Sequence, residues 1–227
     1  MRISTNLSYN QTMLYIVATP IGNLQDLSQR AKDLICSCDL VLAEDSRQTK
    51  KILNYLGVSK RIISCHEHTR NHKLDRIIDN ISNAESVVYC SDAGTPNLSD
   101  PGGRLVAKAI EKGIEVSPIP GPSSLTVLIS TCPFSCNNFV FIGYFPKKKG
   151  RTKTVEFIKG SNMPVFFFES PHRIKKTLEI LKAKIPQKNI IIGRELTKKF
   201  EQIIIINLAQ INIGKIRDKG EFVLGVF

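Results

Sequence analysis

The residues best suited to chemistry fall where apolar runs end. Met13 to Thr19 ends at Pro20, Gly22 and Asn23, and Asp39 to Ala43 runs into Glu44-Asp45-Ser46-Arg47. Ser86 to Cys90 runs into Ser91-Asp92-Ala93-Gly94-Thr95-Pro96, and Ile114 to Pro118 leads to Pro120-Gly121-Pro122-Ser123-Ser124. The Ser91–Pro96 loop offers backbone groups, a carboxylate and a glycine that lets a ligand approach the main chain. It suits a nucleoside or a sulfonium cation better than a phosphate, for which Lys or Arg would be wanted. Phosphate-loop readings fail accordingly. No G-x-x-x-x-G-K-[ST] occurs, and the Gly102-Gly103 pair is not a G-x-G-x-x-G fingerprint after a strand. No G-x-S-x-G nucleophile elbow occurs either. Cys36-x-Cys38, Cys132-x3-Cys136 and His66-x-His68 with His72 lack the paired C-x2-C spacing of a structural zinc site, so no metal is expected. His66-Glu67-His68 remains a polar cluster able to line a substrate surface.

These loops need a scaffold, and the pattern between them supplies one. After the first strand, helical spacing runs from Leu27 to Ile35 with Ser28 as its cap. A second helix stops at Gly57, a short strand follows at Ile62-Ile63, and Leu74 to Ile81 is helical. Pro101-Gly102-Gly103 opens a further helix, to Lys112, before the strand from Ile114. Alternating strands and helices predict an α/β domain on a mostly parallel sheet, with ligands at the C-terminal ends of the strands. Beyond Pro120 the strands Asn138–Phe145, Pro164–Phe168, Asn189–Gly193, Gln202–Asn207 and Phe222–Phe227 accompany helices Thr152–Lys159 and His172–Ala183. Several connections there are too short for a crossover helix, which predicts a mixed sheet. The expected organisation is two α/β domains, 12–120 and 121–227, joined at Pro120-Gly121-Pro122.

Charge divides the chain at the same place. Of a net +12, residues 1–120 carry 14 basic against 13 acidic residues, and residues 121–227 carry 18 against 7. The asymmetry points to a polyanionic partner handled by the second half. The alternative is a solvated basic surface, but a compositional bias toward Lys would enrich both halves alike. Lys147, Lys148, Lys149, Arg151 and Lys153 form the densest cluster, read as a mobile loop that could clamp phosphates. No apolar run is long enough to span a bilayer. Met1 to Gln11 lacks the apolar core of a secretory signal, so a cytoplasmic location with six free cysteines is expected.

The ordered motifs are recognisable. Leu14-Tyr15-Ile16-Val17-Ala18-Thr19-Pro20-Ile21-Gly22-Asn23-Leu24, Ala43-Glu44-Asp45-Ser46-Arg47-Gln48-Thr49 and Ser91-Asp92-Ala93-Gly94-Thr95-Pro96 followed by Ser99-Asp100-Pro101-Gly102 resemble motifs of the ribosomal RNA branch of the tetrapyrrole methylase family. Gly143-Tyr144-Phe145-Pro146, Glu169-Ser170-Pro171-His172-Arg173, Gly193 to Glu201 and Lys219 to Leu224 continue the match in order. Ser46 stands where that family often has Thr, and Thr69 where it usually has Asn. The resemblance implies a tetrapyrrole methylase-like fold of two α/β domains, usually a homodimer, with S-adenosyl-L-methionine folded into the cleft between them. It implies 2'-O-methylation of a cytidine in the decoding region of 16S rRNA, presented as the 30S subunit or as naked rRNA. By position, the cofactor wall would be Pro20, Ser91, Asp92, Ala93, Gly94, Thr95, Ser123, Ser124, Phe168, Glu195 and Leu196.

A ribose hydroxyl is a weak acid, so its methylation calls for an acceptor for the proton. Glu44, Asp45 and Glu201 are the candidates. Arg47, Lys198 and Lys199 could hold phosphates or lower the hydroxyl pKa, and Lys198 joins the basic cluster as an RNA contact. The alternatives are a sibling methyltransferase acting on a tetrapyrrole and a non-catalytic RNA-binding protein that keeps the fold.

Overall fold

The computed structural model describes residues 12–227; the reading of Met1 to Gln11 as free of a secretory signal lies outside them. The chain divides into two compact units after Ser123.

The first unit alternates strand and helix throughout. Its strands are β1 (Met13–Val17), β2 (Leu40–Ala43), β3 (Ile62–Ser64), β4 (Ser86–Cys90) and β5 (Glu115–Ile119). Its helices are α1 (Gln29–Ser37), α2 (Ser46–Leu56), α3 (Asn71–Ser82) and α4 (Gly103–Glu111). The strands pair in parallel in the order β3-β2-β4-β1-β5. Side chains alternate across the sheet. Val87 and Tyr89 of β4 pack with Ile77 and Ile78 of α3 and Leu105 of α4, while Val88 and Cys90 pack with Ile35 of α1 and Leu53 of α2. Both faces are therefore covered, which is why these strands read as unbroken apolar runs. The expected helix signals operate: Ser28 Oγ accepts from the Ala31 amide at 3.2 Å, and Gly57 closes α2 at φ +70°. Helix α3 begins three residues before the apolar periodicity does, because its first turn is polar and exposed.

The second unit holds α5 (Ser124–Ile129), α6 (Arg151–Gly160), α7 (Ile174–Lys184) and five strands. These are β6 (Val140–Tyr144), β7 (Val165–Glu169), β8 (Asn189–Arg194), β9 (Gln202–Asn207) and β10 (Phe222–Val226). The order is β6-β7-β10-β8-β9, with β6 and β7 parallel and the remaining pairs antiparallel, the mixed sheet that the short connections require. Phe167, Ile190, Ile192 and Leu224 pack with Ile158 of α6 and Leu178 of α7. On the opposite face α5 lies close to β8: a Cβ at Gly193 would stand 2.8 Å from Leu128 Cδ1, so this contact needs glycine.

Two expectations are modified. Helix α7 starts at Ile174 and not at His172, because Ser170 to Arg173 form a turn around the Glu169 carboxylate. The basic cluster is only partly a loop. Arg151 and Lys153 stand on the first turn of α6, behind Gly150 at φ +89°.

Candidate functional site

In the first unit, β1 and β4 are neighbours whose onward connections leave in opposite directions, β1 toward β2 and β4 toward β5. A crevice opens beyond the strand ends at such a point. Here the two loops are joined to each other: the Thr19 amide donates to Gly94 O and the Gly94 amide to Thr19 O, each at 2.9 Å. Thr19 Oγ1 donates to Ser91 O at 3.2 Å. Gly94 takes φ +80°, and a Cβ there would lie 3.3 Å from Ile21 Cγ2. Thr95 Oγ1 donates to Pro122 O at 3.2 Å, and a Cβ at Gly121 would stand 3.0 Å from Ala18 O. Pro20, the segment Ser91, Asp92, Ala93, Gly94 and Thr95, and Pro122-Ser123 thus border one region.

Carboxylates line its β2 side. Asp92 Oδ1 accepts from the Asp45 amide at 2.9 Å, and the Asp92 amide donates to Glu44 Oε2 at 3.2 Å. Asp45 is gripped by Arg47, whose Nε lies 3.0 Å from both carboxylate oxygens. That side-chain hydrogen bond is the main reason the Asp45 carboxyl falls to about 2. Glu44 moves the other way. Desolvation pushes its carboxyl above the ordinary glutamate range, and the charges of Asp92, Asp45 and Glu67 add to the shift, against the Asp92 amide. Asp92 is also raised, chiefly by desolvation. Arg47 is committed to Asp45, which leaves Glu44 and Asp92 as a pair of negative groups that a cation would relieve.

In the second unit, β7 and β8 flank β10 and end at the same edge, so Phe168, Glu195 and Leu196 lie there together. Phe168 packs edge-on against Phe141 and Tyr144, with ring centroids 5.0 and 5.6 Å away. Glu195 takes φ +51° and Thr197 φ +64°. This turn is held by Glu195 Oε1, which accepts from the Glu221 amide and from Lys198 Nζ, each at 3.0 Å. Gly220 permits it, since a Cβ there would overlap Glu195 Cγ at 2.5 Å. Lys198 Nζ also meets Glu221 Oε2 at 2.9 Å. Burial lowers the Lys198 pKa, but Glu221 and Glu195 outweigh it and hold the ammonium above its ordinary range. Glu201 accepts from the Thr197 amide at 2.6 Å and serves as a brace of the same turn. Ser124 opens α5. Lys147, Lys148, Lys149 and Lys153 are exposed, whereas Arg151 is tied back to Pro146 O at 3.3 Å.

A family model for Tetrapyrrole (Corrin/Porphyrin) Methylases matches residues 13–212. This chain belongs to the tetrapyrrole methylase family. It is accordingly a methyltransferase that uses S-adenosyl-L-methionine. Among curated relatives, Ribosomal RNA small subunit methyltransferase I of Borrelia garinii subsp. bavariensis is 40% identical over 93% of this chain and 97% of its own length. The protein of the same name from Halalkalibacterium halodurans is 39% identical over 89% of this chain and 72% of its own length. Among solved structures, a uroporphyrin-III C-methyltransferase from Thermus thermophilus, complexed with S-adenyl homocysteine, is similar with a TM-score of 0.65. It is 18% identical, over 94% of this chain and 96% of that one, which concerns the fold alone.

The first unit fits such a cofactor. Its strand-end loops pack closely on one another through Gly94 and Gly121 and carry the Glu44 and Asp92 carboxylates, both raised chiefly by desolvation, acceptors suited to a sulfonium or an ammonium group. Among the described residues, no group of three or more His, Cys, Asp or Glu side chains is placed to hold a metal, and no helix is long and apolar enough to cross a membrane.

Three side chains were given no role by the sequence reading. Tyr89 sits inside an apolar run and reads as core, yet its hydroxyl has no hydrogen-bond partner among the described residues. Arg104 donates to Glu67 O, Thr69 O and Asn71 Oδ1 at 2.8, 3.0 and 2.7 Å, fixing the His66-Glu67-His68 loop onto α4. Glu169 is buried at the end of β7 and pairs with Arg173 at 2.6 Å. Only this last one left a signal, an acid closing an apolar run with Arg four residues on.

Proposed function

We propose that this chain methylates the 2'-hydroxyl of a cytidine in the decoding region of 16S rRNA, acting in the cytoplasm on the 30S subunit or on naked rRNA. The observation that carries this reading is the 40% identity to a ribosomal RNA small subunit methyltransferase I along almost the whole of both chains. The excess of basic residues in 121–227 supports a polyanionic substrate, and in this reading Lys147, Lys148, Lys149, Arg151, Lys153 and Lys198 face RNA phosphates. The pairing of Lys198 with Glu195 and Glu221 makes it the weakest of these contacts. A homodimer is part of the same proposal.

When bound, S-adenosyl-L-methionine supplies a methyl group already activated on a sulfonium. The chain's own residues must align the hydroxyl and take its proton. Of the acceptors weighed, Glu44 is the best base. Its carboxyl is raised by desolvation, whereas Asp45 is held strongly acidic by Arg47 and Glu201 accepts from the Thr197 amide. Asp92 holds the Asp45 amide on one side and has its own amide held by Glu44 on the other, so it fixes the acceptor and faces the cofactor's positive end. Pro20, Ser91, Ala93, Gly94, Thr95 and Ser123 wall the cofactor from the first unit. Ser124, Phe168, Glu195 and Leu196 are assigned to it from the second.

The test is incubation with cofactor labelled in its methyl group and either 30S subunits or naked 16S rRNA, followed by mapping of the modified nucleotide. Label on a cytidine ribose in the decoding region is the expected result. Label on a base, on another nucleotide, or only on an added tetrapyrrole would refute the proposal.

A further inference from the structure

In the first unit lies an open depression of about 540 Å³ whose lining includes Glu67, Asn97, Ser99, Asp100 and Arg104. Glu67 and Arg104 also line a narrower recess that leads down to Tyr89, with room for about one water. Tyr89 is fully buried at 0% exposure. Its hydroxyl has no partner among the described residues. A buried hydroxyl left unpaired is destabilising, and a phenylalanine would fill the same space without that penalty. The recess is thus a place where a polar group is kept ready for something that enters from the depression.

The chemistry of the lining narrows what that is. Carboxylates of Glu67 and Asp100 stand on the wall, and the charges of Glu44 and Asp100 reach the Tyr89 hydroxyl, so a phosphate is disfavoured. The Arg104 guanidinium is already bound to Glu67 O, Thr69 O and Asn71 Oδ1. What remains in the depression is a rim of carboxylate, amide and hydroxyl groups from Glu67, Asp100, Asn97 and Ser99 beside Pro101, while Leu74 and Leu105 line only the narrower recess below it. Such a surface takes a flat, neutral heterocycle that both donates and accepts hydrogen bonds. The site also lies within electrostatic reach of the proposed proton acceptor, since the Glu67 carboxylate contributes to the upward shift of Glu44.

We infer that this depression holds the base of the nucleotide being methylated, with the Glu67 carboxylate accepting from the exocyclic amino group of cytosine and the Tyr89 hydroxyl meeting a ring acceptor directly or through one water. The inference rests on the ribosomal RNA reading above and adds how the base is chosen. An acidic side chain reads cytosine N4 because uracil presents an acceptor at that position. A glutamine at 67 could accept from cytosine or donate to uracil, so the choice would be lost.

The experiment uses the full chain and 30S subunits assembled with cytidine or uridine at the mapped target. Subunit binding is measured by filter retention without cofactor, and methyl transfer separately. The wild-type chain should favour cytidine by roughly tenfold, the scale of one charge-assisted hydrogen bond. Glu67→Gln should bring that ratio close to one while leaving cofactor affinity unchanged. Tyr89→Phe should weaken binding of the cytidine subunit several-fold while its melting temperature stays equal or rises, a combination that a merely structural hydroxyl would not give. If Glu67→Gln keeps the wild-type ratio, or Tyr89→Phe binds as the wild type does, the base pocket is refuted. If the wild-type chain transfers no methyl group to either subunit, the substrate reading fails. The binding ratio then still decides the pocket, and equal binding of the two subunits overturns it.

Discussion

Glu169 closes β7 with its side chain entirely buried, and three donors converge on it: the Ser170 amide, Thr177 Oγ1 and Arg173, each at 2.6 Å. Arg173 is the only cation among them, with its side chain 20% exposed. Glu169→Ala would leave that guanidinium with Ser170 Oγ at 3.1 Å and would orphan Thr177 Oγ1. Breaking a buried pair by removing one partner costs about 3–5 kcal/mol, and partial access of Arg173 to water places this case near 3. Glu169→Gln keeps an acceptor for the Ser170 amide and Thr177 but loses the charge, for about 1.5–2 kcal/mol. Urea unfolding followed by far-ultraviolet circular dichroism serves as the assay, since the chain has no Trp. With an m-value of about 2 kcal/mol/M, the Ala variant's midpoint should fall by roughly 1.5 M and the Gln variant's by about half as much. If both variants unfold within about 0.5 kcal/mol of the wild type, the pair is worth no more than a surface salt bridge and the argument is wrong.

Glu44→Gln should lower kcat by roughly 10²–10⁴-fold, the usual contribution of a positioned base. Activity needs the ionised carboxylate, and burial raises its pKa, so wild-type activity should fall with decreasing pH through a limb above the ordinary glutamate range that the variant lacks. The raised carboxyl opposes folding above that pH, so the same variant should be no less stable at neutral pH, and a large loss of stability would reassign Glu44 as structural. Asp92→Ala should weaken S-adenosyl-L-methionine binding in calorimetry by roughly tenfold, the loss of one charge-assisted contact; an unchanged Kd in a folded variant would remove Asp92 from the cofactor wall. Replacing Lys147, Lys148 and Lys149 by Ala should flatten the slope of log K for RNA against log salt by roughly two to three units while leaving cofactor affinity alone. A wild-type slope would place the polyanion elsewhere on the second unit.

The sequence by itself determined the two kinds of sheet and placed polar loops at the strand ends. Strands covered on both faces need unbroken apolar residues, so β1, β2 and β4 stand out as runs, and the polar motifs that end them mark the C-terminal edge where ligands sit. Short connections after residue 120 left no room for crossovers, which settled the mixed sheet. Caps were legible because Ser28 and Gly57 act on neighbours in the chain. What only the tertiary structure decided depends on residues far apart in sequence. Glu44 and Asp45 are alike on paper, but Arg47 holds one strongly acidic while the loops around Asp92 desolvate the other. Tyr89 reads as core because the run Val87-Val88-Tyr89-Cys90 in a strand gives no sign of where a hydroxyl will end. Its unpaired hydroxyl lies in a recess formed with α4 and the His66-Glu67-His68 loop, which Arg104 joins across more than thirty residues. Hydrophobic burial is written in local pattern, whereas charge and hydrogen-bond satisfaction depend on which loops meet, and that is fixed only when the sheet assembles.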